Sequence, residues 1–108
     1  MTKGEIWVTD LPAKGGHVQR GLRPALIIAD ATKSIALVVP LTSSLAAQRF
    51  PHTLLLEPTA SNGLEKPSVL LFFQLGAVDK RFLHRTIGTI DTALLRQVDD
   101  KLGALIGV

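Results

Sequence analysis

Short hydrophobic runs recur along the chain, each bounded by glycine, proline or polar residues. They predict strands over residues 5–9, 25–29, 35–39, 68–75 and 84–90, with a fourth strand following Pro51 and reaching Leu56. Aliphatic, β-branched and aromatic residues in runs of this length favour strands. The polar turn at 30–34 is hairpin-sized and predicts antiparallel pairing of the strands around it. The near-continuous apolar run at 25–29 indicates burial on both faces.

Boundaries and local turns follow from single residues. Pro40 is predicted to end the third strand, and residues 78–83 resemble a single helical turn. The hydroxyls of residues 42–44 would either cap a short segment at 45–48 or face a ligand. Period-two alternation in the last strand would place Arg85, Ile87 and Thr89 on one face.

The C-terminal residues predict one amphipathic helix, capped by Asp91 and running from Thr92 to about Leu105. The apolar positions at helical spacing are Leu94, Leu95, Val98, Leu102, Leu105 and Ile106. Strands followed by one helix indicate a small α+β fold with a curved, mainly antiparallel sheet or half-open barrel.

The composition limits the class of protein to which the chain can belong. A chain of 108 residues with 46% hydrophobic residues predicts one domain spanning 1–108, and so apolar a composition favours a homo-oligomer. The absence of cysteine excludes disulfides and thiolate chemistry and is compatible with a reducing cytoplasm. We expect no signal peptide and no membrane span, since the apolar runs are strand-sized.

Positive charge concentrates in the N-terminal half. Residues 1–55 hold six Lys or Arg against three acids, whereas residues 56–108 hold six of each. The N-terminal half also contains the glycine-rich segment 15–24, in which His17, Arg20 and Arg23 offer donors to an anion such as phosphate. An anionic partner is therefore predicted on that side of the molecule.

The residues able to take part in catalysis do not indicate a metal site. His17, His52 and His84 are widely separated, and no metal-ligand spacing or phosphate-binding loop motif is present. A Ser/His/Asp triad is not excluded by spacing, but no serine lies in a nucleophile-elbow motif. Metal-free cleavage of RNA by its own 2′-hydroxyl needs a base, an acid and a cation for the developing charge. The residues that could supply these groups are His17, Arg23, Thr42, Ser43 and His52.

Several segments together resemble the MazF/PemK family of toxin endoribonucleases. They are residues 3–7 (KGEIW), 21–28 (GLRPALII), 38–43 (VVPLTS), 69–74 and 78–80, in the family's order along nearly the whole chain. The resemblance implies an SH3-like barrel with added helices, a homodimer and sequence-specific cleavage of single-stranded RNA without a cofactor. It also implies a cognate antitoxin whose C-terminal segment occupies the RNA groove.

The resemblance assigns roles residue by residue. Arg23 matches the family's catalytic arginine, and Thr42 matches its catalytic threonine or serine. His17 matches a histidine of the PemK branch, but Leu71 and Phe73 stand where that branch has an arginine and an aspartate. We therefore prefer the MazF-type pair of Arg23 and Thr42. The expected RNA contacts are His17, Gln19, Arg20, Ser43, His52 and Gln74, with residues 15–22 as a lid over the groove.

Two alternatives stay open. A gyrase poison resembling CcdB would share the fold but perform no chemistry, and an inactive relative would only bind. With one Trp, four Phe and no Tyr, base stacking is expected to be limited, and hydrogen bonds would do most of the base reading. Phe72 and Phe73 should point to opposite faces of their strand, with at least one in the core.

Overall fold

The computed structural model describes residues 1–10 and 22–108. Within them the strands are β1 (Glu5–Thr9), β2 (Arg23–Asp30), β3 (Ile35–Thr42), β4 (Thr53–Leu56), β5 (Ser68–Leu71), β6 (Gly76–Asp79) and β7 (Leu83–Thr89), and the helix α1 is Thr92–Ile106. Short 3₁₀ helices cover Leu45–Arg49, Phe72–Gln74 and Lys80–Phe82. None of the helices in these two ranges is long and apolar enough to cross a bilayer.

The strands form an antiparallel sheet in the order β4-β5-β3-β2-β1-β7, with β6 also pairing with β3. The predicted pairing of β2 and β3 is confirmed, with Leu26 opposite Val39. Strand β3 is shared, since its first part pairs with β2 and its last two residues, Leu41 and Thr42, pair with β5. The predicted α+β barrel-like fold is therefore confirmed.

Apolar residues cover both faces of the central strands. Leu26 belongs to the main core under α1, while Ala25 and Ile27 belong to a second cluster that Trp7 borders. Helix α1 begins as predicted, because the Asp91 carboxylate accepts a hydrogen bond from the Leu94 N–H at 2.8 Å. Its apolar stripe packs on the main core, except for Ile106, the last residue of the helix, which is 65% exposed although it shares the apolar spacing.

Several details differ from the sequence prediction. Strand β3 continues through Pro40, which pairs with Ala25 at the point where β3 leaves β2 for β5. A proline is tolerated there because the ladder changes partners at the next residue. Residues 68–75 are not one strand, since the Phe72 N–H donates to the His52 carbonyl at 3.0 Å and the chain turns.

Two further differences lie near β7. The predicted helical turn at 78–83 is a 3₁₀ helix limited to Lys80–Phe82, because Val78 pairs with Ala36 in β6. The alternation along β7 is interrupted by register shifts against β1, where Val8 pairs with Arg85 but Thr9 pairs with Leu83. A bulge of this kind breaks the two-residue period.

A loop between β4 and β5, residues 57–64, closes the barrel and is called the closing loop below. The Thr89 N–H of β7 donates to the Ser61 carbonyl at 2.8 Å. A Cβ on Gly88 would lie 2.3 Å from that carbonyl oxygen, so the two backbones meet only because residue 88 is glycine. Strand β7, at one end of the sheet order, is thereby joined to the connection that leaves β4 at the other end.

Candidate functional site

Arg23 and Thr42 lie at the same end of two adjacent antiparallel strands. Arg23 is the first residue of β2 and Thr42 is the last residue of β3. Each stands two residues beyond the pair formed by Ala25 and Pro40, so both follow the point at which β3 turns towards β5. The fold thus places at the same end of the sheet two residues that are 19 positions apart in the sequence.

The backbone of Arg23 is fixed while its side chain stays in solvent. Arg23 pairs with Thr9 in β1, and the fully buried Thr9 hydroxyl donates to the Arg23 carbonyl at 2.8 Å. The residue itself is exposed, and none of the ion pairs in the described ranges includes its guanidinium. Because the backbone is fixed and the guanidinium is exposed, the side chain can offer two parallel N–H donors to a phosphate.

Thr42 has a hydroxyl whose hydrogen is not used by a local bond among the described residues. The residue is half-buried and pairs with Val69 in β5. Its Oγ1 accepts a hydrogen bond from the Ser44 N–H at 3.2 Å, which leaves the O–H able to donate to a ligand. The alternative role predicted for these hydroxyls, capping the next segment, is wrong: Ser44 stands at the N-cap of Leu45–Arg49 without a side-chain cap bond.

The other predicted RNA contacts within the described residues lie directly after β3, directly before β4 and in the 3₁₀ helix after β5. Ser43 is exposed and follows Thr42 directly. His52 has a φ of 59°, in the left-handed region that a non-glycine residue seldom adopts, and its carbonyl anchors Phe72. Gln74 ends the 3₁₀ helix that begins at Phe72, so His52 and Gln74 belong to neighbouring segments.

Strand β5 separates Thr42 and Ser43 from His52 and Gln74. Thr42 pairs with Val69, whereas Leu71 pairs with Thr53, the residue after His52. Two residues of strand span about 7 Å. His17, Gln19 and Arg20, with residues 15–21 of the predicted lid, lie outside the described residues.

Sequence reasoning missed a group of exposed aromatic residues near His52. Phe72 is buried as predicted for one of the pair, but Phe73 is 44% exposed and its ring centroid is 5.7 Å from that of Phe50. Arg49 places its guanidinium carbon 4.8 Å from the Phe50 ring centroid. The signal available in the sequence was the phenylalanine doublet at the end of a buried strand.

The two carboxylates whose pKa values are shifted, Glu5 and Asp30, lie far from the end of the sheet that holds Arg23 and Thr42. The pKa of Glu5 is lowered by a hydrogen bond from the Thr2 backbone and a second one from the Trp7 indole, at the opposite end of β1 from Thr9. The pKa of Asp30, at the opposite end of β2 from Arg23, is lowered by its bond with Lys80. Within residues 1–10 and 22–108, no group of three or more His, Asp or Glu side chains is placed to hold a metal ion.

Comparison with known proteins defines the family. The family model described as "PemK-like, MazF-like toxin of type II toxin-antitoxin system" matches residues 2–106. The chain therefore belongs to the PemK-like and MazF-like toxins of type II toxin–antitoxin systems, and the predicted resemblance is confirmed. This membership covers both the Arg23 end of the sheet and the C-terminal helix.

Individual relatives match this chain over nearly their full length. The chain is 32% identical to endoribonuclease MazF9 of Mycobacterium tuberculosis, with 94% of this chain and 92% of that protein covered. The crystal structure of MazF from Deinococcus radiodurans has a TM-score of 0.75 at 25% identity, covering 98% and 96% of the two chains. A mycobacterial endoribonuclease in complex with its cognate antitoxin has a TM-score of 0.71 at 18% identity, with 98% and 92% covered.

Proposed function

We propose that this protein is a metal-independent, sequence-specific endoribonuclease that cleaves single-stranded RNA as the toxin of a toxin–antitoxin pair. The observation that carries the proposal is the convergence of an exposed Arg23 and a donating Thr42 hydroxyl at one end of β2 and β3. The chain's 32% identity to a named endoribonuclease supports the same class of reaction.

In the proposed reaction the 2′-oxygen of a ribose attacks the adjacent phosphorus. The new bond closes a 2′,3′-cyclic phosphate as the bond from phosphorus to the 5′-oxygen of the next nucleotide breaks. The 2′ proton passes to water, and the departing 5′-oxygen takes up a proton from water or from the Arg23 guanidinium, which water then reprotonates. Negative charge grows on the non-bridging oxygens, where the Arg23 guanidinium stabilises it and can transfer a proton. The Thr42 hydroxyl donates to the scissile phosphate and holds it in line with the attacking oxygen.

The remaining assignments are proposals of the same kind. Ser43, His52 and Gln74 contact RNA from the described part of the chain, and His17, Gln19 and Arg20 contact it from the glycine-rich segment. The protein acts in the cytoplasm as a single domain, and it works as a homodimer. Because a solved relative is in complex with its cognate antitoxin, we propose such a partner for this chain too.

A gyrase poison is not favoured, since the relative named above is an endoribonuclease. One assay distinguishes an endoribonuclease from a gyrase poison: the purified protein is incubated with a long defined RNA in the presence of EDTA. We expect discrete cuts. Intact RNA together with gyrase-dependent DNA damage would contradict the proposal.

The active residues are tested in the same assay. Arg23→Ala is expected to lower the cleavage rate by about 100- to 1,000-fold, as for removal of one charge-stabilising donor in other enzymes. Thr42→Val should lower it by a comparable factor, whereas Thr42→Ser keeps the hydroxyl and most of the activity. Arg96→Ala, at an exposed position of α1, is the matched control. Folded Arg23→Ala protein that cuts at the wild-type rate would refute the assignment.

Dimerisation is measured separately. Sedimentation of the wild type at micromolar concentration is expected to give the mass of two chains, because so apolar a composition favours a homo-oligomer. A monomer under these conditions would contradict that part of the proposal and leave the nuclease assignment standing.

A further inference from the structure

Three side chains next to the site form an exposed aromatic cluster, namely Arg49, Phe50 and Phe73. The two rings are tilted by 66° with centroids 5.7 Å apart, an edge-to-face contact. The Arg49 guanidinium lies over the Phe50 ring, with its central carbon 4.8 Å from the centroid. These contacts define how the two rings are arranged on the surface.

The two rings of the cluster are exposed, although aromatic side chains are usually buried. Phe50 is 43% exposed and Phe73 is 44% exposed, although the other phenylalanines, Phe72 and Phe82, are buried and half-buried. Adjacent exposed apolar side chains on a monomer commonly mark a binding surface. The two rings meet at an angle, so they offer a planar ligand one face and one edge.

The charge around the cluster favours an anionic ligand. No acidic residue occurs between Asp30 and Glu57 or between Glu65 and Asp79, which are the two segments that supply the cluster. Cationic charge there comes from Arg49, close to His52 in sequence. An aromatic face beside a guanidinium matches a nucleobase attached to a phosphate chain.

The cluster is also continuous with the proposed active site. The chain runs from Thr42 through the 3₁₀ helix Leu45–Arg49 directly to Phe50. On β5, Val69 pairs with Thr42, and Phe73 follows four residues later. Val69 and Leu71 are about 7 Å apart along β5, and Phe73 lies two residues further on, in the 3₁₀ helix Phe72–Gln74. A few nucleotides of extended RNA can cover that separation.

We propose that Phe50 and Phe73, with Arg49, form a stacking surface for one unpaired base of the RNA, a few nucleotides from the cleaved bond. The proposal rests on the proposed nuclease function and adds a specificity-determining surface to it. It also differs from the expectation, drawn from composition, that stacking contributes little.

The test begins with the cleavage pattern of the wild-type protein on a long defined RNA, read by sequencing the cut ends. Phe73→Ala is expected to lower kcat/KM by about 10- to 100-fold, the range found for losing one base–aromatic stack. The base preference at one position beside the cut should weaken while the other positions keep theirs. Phe73→Tyr keeps the ring and should retain the pattern, and Phe73→Leu should behave as the alanine variant does.

Two controls separate stacking from other roles. Ile106→Ala removes a side chain that is 65% exposed at the end of α1 and should leave the pattern and rate unchanged. Thermal melting of Phe50→Ala and Phe73→Ala should show folded proteins. A Phe73→Ala protein that cuts the same sites at the wild-type rate overturns the proposal, and so does one that becomes monomeric where the wild type is a dimer.

A second measurement keeps the proposal independent of cleavage. A mixed-sequence single-stranded RNA that contains 2-aminopurine and 2′-O-methyl riboses cannot be cut through its 2′-oxygen. Stacking of the fluorescent base on an aromatic ring should quench its emission with wild-type protein and leave it bright with Phe73→Ala. Quenching without any cleavage of unmodified RNA would refute the nuclease function alone. Equal emission with both proteins would refute the stacking surface.

Discussion

The two connections on either side of β4 use their residues in opposite ways. The closing loop at 57–64 satisfies its polar groups internally and packs backbone against backbone on β7. The connection at 43–52 leaves Phe50 exposed and holds His52 at a positive φ. One segment is built for stability and the other leaves its side chains available to a partner.

The contrast is clearest in a pair of polar side chains. Asn62 is 2% exposed, and its Oδ1 accepts from the N–H groups of Thr59 and Leu64, each at 3.0 Å. Thr42 is half-buried, and its oxygen accepts one bond while its hydrogen keeps no local partner among the described residues. A polar group that is fully satisfied in the core contributes to folding, whereas one that is partly satisfied at the surface can bind a ligand.

The largest effect on stability is expected at the contact between the closing loop and β7. Gly88→Ala places a Cβ 2.3 Å from the Ser61 carbonyl oxygen and 2.4 Å from the Asn62 carbonyl carbon, so the two backbones must separate. We expect a loss of about 3 kcal/mol or more in the free energy of unfolding. Urea denaturation measures it.

Gly107→Ala is the matched control, because nothing lies within 4 Å of its new Cβ and only its φ of 79° opposes the change. It should cost about 1 kcal/mol. Equal losses for the two variants would show that the closing loop is not tightly packed against β7.

Asn62→Ala is expected to cost about 2 kcal/mol, the usual penalty for leaving buried polar groups unpaired. The groups that lose their partner are the Thr59 and Leu64 N–H groups and the Glu57 carbonyl. Ser61→Ala, at an exposed neighbouring position, should change the midpoint of urea denaturation little. A folded Asn62→Ala protein should cut RNA at close to the wild-type rate once the measurement is made well below its melting temperature.

Thr42→Val should change stability by less than about 0.5 kcal/mol, as for most substitutions away from the core. It removes one exposed hydrogen bond and keeps the side-chain shape. Its cleavage rate should fall steeply, as proposed above. A variant in which stability and activity fall together would contradict the division between the two connections.

Glu5 lies outside both connections, and its contribution to stability depends on pH. Because its pKa in the folded protein is below the ordinary value of 4.5, its contribution to stability is present above that value and is lost as the pH falls through the folded pKa. Glu5→Gln should therefore destabilise by less than about 1 kcal/mol near pH 7, with a difference that shrinks towards pH 3. A destabilisation by Glu5→Gln that is the same at pH 7 and at pH 3 would contradict this prediction.

Much of the fold was predictable because local patterns and tertiary structure agree. The limits of β1 were predicted correctly, and Asp91 caps α1 as its position before the helix indicated. Pro40 was misread because a proline can lie inside a strand that changes partners, which only the pairing of β3 reveals. The run at 68–75 was misread since its apolar composition carries no signal for the turn that His52 stabilises at Phe72.

The amino-acid sequence by itself determined the family, the fold class and the identity of Arg23 and Thr42 as candidate active residues, through motifs that are local along the chain. Only the tertiary structure showed that these two residues share one end of β2 and β3, and that Phe73 is exposed beside Phe50. The physical reason is that exposure and register depend on which strands pair, and pairing joins residues that are far apart in the sequence.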